Sequence, residues 1–327
     1  MSASYVDGKT ILITGATGSF GNRFVARLLQ DHKPKKVIVF SRDELKQSQM
    51  LERFPDQRVR FLLGDIRDSA RLQRAFQGVD IVVHAAALKQ VPALEYNPFE
   101  AVQTNIIGAE NIINAAIDAG VERVVALSTD KAANPVNLYG ATKLCMEKLF
   151  ISGNSYSAGR KTRFSAVRYG NVVGSRGSVV PLFLDKRKTG VLPVTDDRMT
   201  RFWITLDQGV DTVLFARKNM YGGEIFVPKI PSMKITDLAK AIAPECKIKV
   251  VGIRPGEKLH ETMLTEEESA RASDVGSYYV VKPLFAWWND ANWNKGKPIP
   301  AGFRYSSDTN TEWLDAKGLK AMVGLGA

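Results

Sequence analysis

Histidine and cysteine are both scarce in this sequence. The three histidines, His32, His84 and His260, are isolated from one another, so no zinc-like cluster is present and no metal is expected. Two cysteines, Cys145 and Cys246, cannot build a disulfide framework, which points to a reducing cytoplasm. No apolar run approaches the roughly 20 residues of a membrane span, and the N-terminus lacks a signal-peptide pattern. No membrane partner is therefore expected. Internal repeats and low-complexity segments are missing, as are zinc-finger, RRM and helix-turn-helix patterns. Acidic residues are the minority, 34 against 45 lysines and arginines, giving a net charge of +11. Because the basic residues are dispersed, they read as a solvated surface around a phosphate-bearing ligand rather than a nucleic-acid footprint.

What is present is an alternation of short apolar runs and helical patterns. Lys9–Thr14, Lys36–Phe40, Val59–Leu63, Asp80–His84 and Arg123–Ser128 read as buried strands. The intervening helical segments make the fold class α/β, a doubly wound parallel Rossmann sheet. From Pro98 to Ala119, the apolar positions Phe99, Val102, Ile106, Ala109, Ile113 and Ala116 predict one amphipathic helix. Asn105 interrupts that face and implies either a buried hydrogen bond or a helix distortion. A further strand is read over Thr162–Arg168. The chain is divided at residue 170, with 1–170 as the dinucleotide-binding domain. Residues 171–327 form mainly a smaller substrate lobe, some of whose segments return to the sheet.

The first strand runs directly into Gly15-Ala16-Thr17-Gly18-Ser19-Phe20-Gly21 and then a helix. Glycines at that spacing permit a tight turn and let a pyrophosphate approach the backbone at a helix N-terminus. No Gly-Lys-Ser/Thr follows, so the turn is not a P-loop. An acid for the ribose hydroxyls is expected about 20 residues on, yet Ser41 and Arg42 stand there, with Lys46 nearby. That substitution favours a 2′-phosphate, hence NADP over NAD, although Asp43 and Glu44 are adjacent. Asp65 and Ile66 end the third strand, with Asp65 a candidate acceptor for an adenine amine and Asp68 a helix N-cap. Ala85, Ala86 and Ala87 end the fourth, where small side chains let a cofactor lie close. His84 reads as packed rather than catalytic. Lys89 faces the same crevice and is a candidate for phosphate or sugar. Asn105 joins the cofactor set.

The fifth strand delivers Ser128-Thr129-Asp130-Lys131, followed by Tyr139 and Lys143 four residues apart. On a helix that spacing puts the phenol and the ammonium on one face, and a neighbouring cation favours the phenolate. Asp130 and Lys131 add an acid and a potential base. In the second half, Asn171, Arg176, Arg201, Arg254 and Glu257 are candidates for sugar, diphosphate and ribose contacts, since guanidinium matches phosphate oxygens in a bidentate way. Trp287, Trp288 and Trp293 read as packing rather than ligand stacking.

G-x-x-G-x-x-G with Y-x-x-x-K resembles the extended short-chain dehydrogenase/reductase superfamily. Within it, S-T-D-K-A-A-N-P-V-N-L-Y-G-A-T-K is similar to the inverting, C5-epimerising UDP-N-acetylglucosamine 4,6-dehydratases that begin pseudaminic acid synthesis. S-R-D-E-L-K-Q, A-A-L-K-Q-V-P, R-Y-G-N-V-V-G-S-R-G-S, M-T-R-F-W-I-T and R-P-G-E-K-L-H-E extend the likeness from residue 14 to about 261. The resemblance implies a UDP-sugar substrate and a recycled NADP. It also implies Tyr139 as base at carbon 4 supported by Lys143, Lys131 as a neutral base at carbon 5, and Asp130 as acid at carbon 6. Thr129 would orient the sugar or the ketone oxygen. A homo-oligomer, hexameric by the same likeness, is expected. Retaining dehydratases of the superfamily carry glutamate where Lys131 stands, and 4-epimerases carry small residues there. Retaining dehydration, 4-epimerisation and a non-catalytic NADP sensor remain the competing readings.

Overall fold

The computed structural model describes residues 5–157, 159–175, 178–284, 293 and 296–323. Arg176, Trp287 and Trp288 lie outside them. The first six strands are β1 (Thr10–Thr14), β2 (Lys36–Ser41), β3 (Val59–Leu63), β4 (Ile81–His84), β5 (Arg123–Leu127) and β6 (Arg163–Val167). They pair in parallel in the order β3-β2-β1-β4-β5-β6. The order reverses beside β1, so a crevice opens at the carboxyl ends of β1 and β4. The helices between them are α1 (Ser19–Asp31), α2 (Glu44–Arg53), α3 (Ser69–Ala75), α4 (Val91–Tyr96), α5 (Pro98–Val102), α6 (Gly108–Asp118) and α7 (Leu138–Tyr156).

Each face of the sheet is covered by its own apolar core. One contains Ile11, Ile13, Phe24, Val37, Val39 and Val125; the other contains Leu12, Ile38, Ile112, Val124, Phe150 and Phe164. Alternate residues of β1 supply the two cores because side chains of a strand point to opposite faces.

The predicted helix over Pro98–Ala119 forms, with one distortion. A π-turn, Gln103–Ile107, separates α5 from α6. Asn105 lies in that turn, 2% exposed, and its amide bonds both the N–H and the C=O of Leu88 at 2.9 Å and Thr142 at 3.0 Å. Both explanations offered for Asn105 therefore hold: the helix is distorted and the amide is buried in hydrogen bonds. As a cofactor ligand it is corrected. Its side chain braces the loop after β4 instead of facing the crevice.

The second half supplies α8 (Val179–Lys186), α9 (Leu206–Asn219), α10 (Ile235–Ile242) and α11 (Glu266–Ser269). Its strands are β7 (Asn171–Val172), β8 (Val191–Val194), β9 (Thr200–Ile204), β10 (Ile225–Pro228), β11 (Ser232–Lys234), β12 (Lys247–Val250), β13 (Thr262–Leu264), β14 (Ala272–Asp274), β15 (Tyr278–Val281), β16 (Lys297–Pro298) and β17 (Tyr305–Ser306), the last pairing with β13. β10 adds to β6 in parallel, and β15, β14 and β16 continue the sheet antiparallel. β11-β9-β7 and β12-β8 form separate small sheets over a third core around Phe183, Trp203 and Leu238.

One ionic group ties the halves together. Arg168, just past β6 and fully buried, donates to Glu147 of α7 at 2.6 and 3.0 Å, to Glu268 of α11 at 2.8 and 3.0 Å, and to the Met263 carbonyl at 2.9 Å. A guanidinium has five N–H donors, and all five are used. The group fixes α7, and with it Tyr139 and Lys143, against the second half.

Candidate active site

A cleft of about 1,100 Å³ runs along the carboxyl ends of β1, β2, β4 and β5. Gly15, at φ +66°, forms its floor; a Cβ there would come within 2.8 Å of the Ala86 backbone. A side chain at residue 15 would thus close the gap between the two loops. Gly18 precedes α1 in extended geometry, so the N-terminus of α1, an anion-favouring end, opens into the cleft. Thr17, Ser19, Phe20, Gly21, Ile66, Ala85, Ala86 and Ala87 line the same end, a cradle that fits a dinucleotide.

At the end of β2, Ser41 is buried and accepts from Gln47 at 3.0 Å. Arg42 is half exposed, 3.4 Å from Asp65. Asp65 is tied more tightly to Arg67, at 2.8 Å, so the candidate adenine acceptor is held by two arginines. Asp43 caps α2 by accepting from the Lys46 backbone at 2.9 Å and also pairs with the Lys46 ammonium. Asp68 caps α3 as predicted. His84 is packed as predicted. It contacts Thr14 Oγ1 at 2.8 Å and stacks on Phe150, and burial, reinforced by Lys143, pushes its pKa down to about 3.

The reactive groups converge where β5 meets α7. After β5 the chain makes a single tight turn, Asp130–Ala132. A Cβ on Gly140 would lie 2.2 Å from the Lys131 carbonyl, so glycine there lets α7 press against that turn. The contact brings Tyr139 beside Thr129, Asp130 and Lys131. Burial is the main influence on the Tyr139 phenol and lifts its pKa to about 12; Lys131 and a hydrogen-bonding Thr129 pull it back, and Asp130 pushes it up.

Two expectations about lysines are corrected. In this state the Lys143 ammonium is held by partners other than the phenol. It donates to the Leu127 carbonyl at 2.6 Å and to Met146 Sδ at 3.0 Å, and burial lowers its pKa to about 8 against the opposing pull of Glu147. The cation that favours the Tyr139 phenolate is Lys131. Nor is Lys131 neutral in this state. Its Nζ lies 3.0 Å from Asp130 Oδ1, 3.1 Å from Glu261 Oε1 and 3.4 Å from Asn171 Oδ1. Burial alone would lower this lysine, but the two carboxylates outweigh it and hold its pKa above the usual value. Burial is also the largest influence on Asp130, and it raises that carboxyl despite Lys131. Asp130 Oδ2 and Glu261 Oε2 are buried without a hydrogen-bond partner.

Glu261 is the residue that sequence reasoning passed over, although it closes the quoted R-P-G-E-K-L-H-E stretch. It is 2% exposed and also faces Lys258 at 3.7 Å and Arg201 at 3.9 Å. Lys131 first, then Arg201 and Lys258, outweigh burial and keep it below the usual glutamate value. Arg201 is buried and donates to the carbonyls of Thr200, Lys258 and Leu259 at 2.7–3.1 Å, so in this state it secures the 258–261 segment. Arg254 is exposed on the cleft rim, where its backbone N–H donates to Glu257 at 3.4 Å. Lys89 also lines the cleft; burial lowers its pKa, with Lys131 adding to the effect. Among the described residues no cluster of three or more metal-ligating side chains occurs, and no helix is long and apolar enough to cross a membrane.

Sheet order, glycine turn and Tyr139–Lys143 helix define an α/β fold of the extended short-chain dehydrogenase/reductase kind. The chain belongs to the family described as polysaccharide biosynthesis protein, whose profile matches residues 11–283. It is 52% identical over 97% of its length, and 98% of the relative's, to UDP-N-acetylglucosamine 4,6-dehydratase (inverting) of Campylobacter jejuni. It is 46% identical to UDP-glucose 4-epimerase of Rickettsia bellii, over 85% of this chain and 83% of that one. Among solved structures, dTDP-glucose 4,6-dehydratase (DesIV) of Streptomyces venezuelae, with NAD bound, matches at a TM-score of 0.69 and 26% identity. That match covers 76% of this chain and 86% of DesIV.

Proposed function

We propose that this protein is a nucleotide-sugar 4,6-dehydratase. It converts UDP-N-acetylglucosamine to a UDP-4-keto-6-deoxy-N-acetylhexosamine with inversion at carbon 5. The observation that carries the reading is the convergence of Asp130, Lys131 and Tyr139 at one end of a dinucleotide-sized cleft. An acid and a base beyond the tyrosine are what elimination needs and what simple 4-epimerisation does not.

A nicotinamide dinucleotide held along Gly15–Gly21 would accept hydride from carbon 4 and return it to carbon 6. Tyr139 takes the proton of the carbon-4 hydroxyl. Asp130, its pKa raised by burial, gives a proton to the departing carbon-6 hydroxyl. Lys131, once it has shed its proton, takes the one on carbon 5. Asn171 and Thr129 position the sugar. Arg254 and Glu257 meet the diphosphate and the uridine ribose, and Arg201 joins them where its donors are released. Ser41 and Arg42 favour NADP, supported by the engagement of Asp43 as a helix cap. Residues 171–327 act chiefly as the sugar-nucleotide lobe. The product feeds the pseudaminic acid route, and the working form is a cytoplasmic homo-oligomer, a hexamer, that sedimentation mass tests.

The test is incubation of UDP-N-acetylglucosamine with the protein in deuterated water, followed by mass spectrometry and proton NMR. Loss of one water with deuterium at carbon 5 supports the reading, and the ring couplings report inversion. An unchanged mass with a carbon-4 epimer would make the protein an epimerase.

A further inference from the structure

We propose that a cavity at the amino ends of β5 and β6 is an anion site for a phosphate or diphosphate group, held by Arg123, Lys161, Arg163 and Arg217. It lies at the opposite end of the sheet from the catalytic cleft, and it stands whether or not the protein is a dehydratase.

The cavity has a volume of about 280 Å³ and is lined by Glu122, Arg123, Lys161 and Arg163. β5 and β6 run parallel with their first residues, Arg123 and Arg163, in register. Register partners on neighbouring strands project to the same face of a sheet, so the topology itself sets the two guanidiniums side by side. α9 packs across both strands, and its last turn carries Arg217 to the same corner. Burial is the main influence on Arg123 and lowers its pKa; Arg163 adds to the effect, and Glu122 and Glu224 oppose it without cancelling it. Arg217 is lowered in the same way, by burial first and then by Arg123. Like charges thus share a half-buried corner.

The carboxylates of that corner are engaged elsewhere. Glu122 meets Lys9 at 2.7 Å. Glu224, fully buried, accepts from the Ser165 hydroxyl, the Trp293 indole and the backbone N–H groups of Tyr221 and Gly222. Among the described residues no carboxylate forms an ion pair with Arg123, Lys161, Arg163 or Arg217.

The fold uses these guanidiniums only in part. Arg123 anchors its strand end through Nη1, which donates to the carbonyls of Glu122 at 2.9 Å and Lys161 at 3.3 Å. Arg163 does the same through Nη1, to Arg160 and Thr162, both at 2.9 Å. Their Nε and Nη2 donors have no acceptor among the described residues, and Arg217 Nε is buried without one. Arg168 is the internal reference, a scaffold arginine with every donor used. A fork of unused N–H groups matches two oxygens of a phosphate, which a halide cannot offer. At about a quarter of the volume of the catalytic cleft, the cavity suits a phosphate or diphosphate group and not a whole dinucleotide. That group can arrive as the free ion or as the end of a nucleoside diphosphate.

Calorimetric titration of the NADP-loaded protein with inorganic phosphate, diphosphate and UDP, at constant ionic strength set by sodium chloride, tests the site. Loading with NADP fills the cradle along Gly15–Gly21, and variants separate the cavity from the rest of the cleft. Arg123→Gln with Arg163→Gln keeps an N–H donor for the backbone carbonyls at each position while removing both charges. Lys161→Glu reverses an exposed charge, so it decides the matter if the double variant fails to fold. Binding of phosphate or diphosphate should weaken on the order of tenfold for each guanidinium lost. A rise in melting temperature on the order of 2 °C with saturating diphosphate should appear in the wild type and vanish in both variants. UDP binding that is sensitive to the variants supports the site with a nucleotide as its ligand; variant-sensitive binding of diphosphate alone supports it with the free ion. Diphosphate binding that is unchanged in both variants puts the anion in the catalytic cleft and overturns the proposal. Failure of phosphate and diphosphate to bind the wild type at all overturns it as well.

Discussion

Two buried ionic groups lie against α7, and they are built to opposite rules. Around Arg168 every guanidinium donor has an acceptor, and the two carboxylates clamp it from two helices. Around Lys131 two carboxylates also converge, yet each keeps one oxygen buried with no hydrogen-bond partner. A saturated network holds one protonation state, since moving any proton breaks a bond already made. An unsaturated one holds its charges in tension, with room for a proton to move and a strong response to any change of neighbour. The first group fixes the scaffold and the second is placed where chemistry is expected.

The sharpest way to break this contrast is to remove the central cation of each group. Lys131→Ala should lower water loss and carbon-5 exchange by about 10²–10⁴-fold, with a smaller loss of stability than Arg168→Ala because Glu261 keeps Arg201 and Lys258 beside it. Retention of full carbon-5 exchange would refute the base assignment. Arg168→Ala should do the reverse. Leaving Glu147 and Glu268 buried and unpaired costs about 3–5 kcal/mol, read as a lower denaturation midpoint. Burial opposes the Glu268 charge, but Arg168 outweighs it and holds the carboxyl below its usual value. Its stabilisation is therefore present above the ordinary glutamate pKa and fades as pH falls through the lowered one.

Smaller effects sharpen the picture. Asn105→Ala leaves the Leu88 N–H and C=O unpaired, costing about 1–3 kcal/mol. Cofactor affinity should fall with it, because the loop after β4 loosens; calorimetric titration of NADP measures this. The smallest change expected is in pH dependence. Lys143 is charged below its pKa of about 8 and neutral above it, so kcat/KM should fall as pH rises through that value. Lys143→Arg cannot lose its charge, and the alkaline limb should move upward.

The contrast also explains what the sequence made legible. Strands, the glycine turn and the Tyr139–Lys143 helix follow from local spacing, and each appears where the spacing put it. Asn105 was legible as an anomaly but not as a brace, because its partner Leu88 comes from another loop. The charge state of Lys131 was not legible at all. It depends on Glu261, far along the chain, whose backbone N–H donates to the Ser307 hydroxyl at 2.9 Å. Arg201 looked like a free guanidinium because nothing local revealed that its donors meet three backbone carbonyls.

The central claim is that oxidation at carbon 4 and reduction at carbon 6 are two halves of one turnover. It is tested most directly with UDP-N-acetylglucosamine carrying deuterium on carbon 4 and with no reductant added. The account predicts a product one water lighter with that deuterium on carbon 6. Deuterium still on carbon 4 of an isomer of unchanged mass would contradict it.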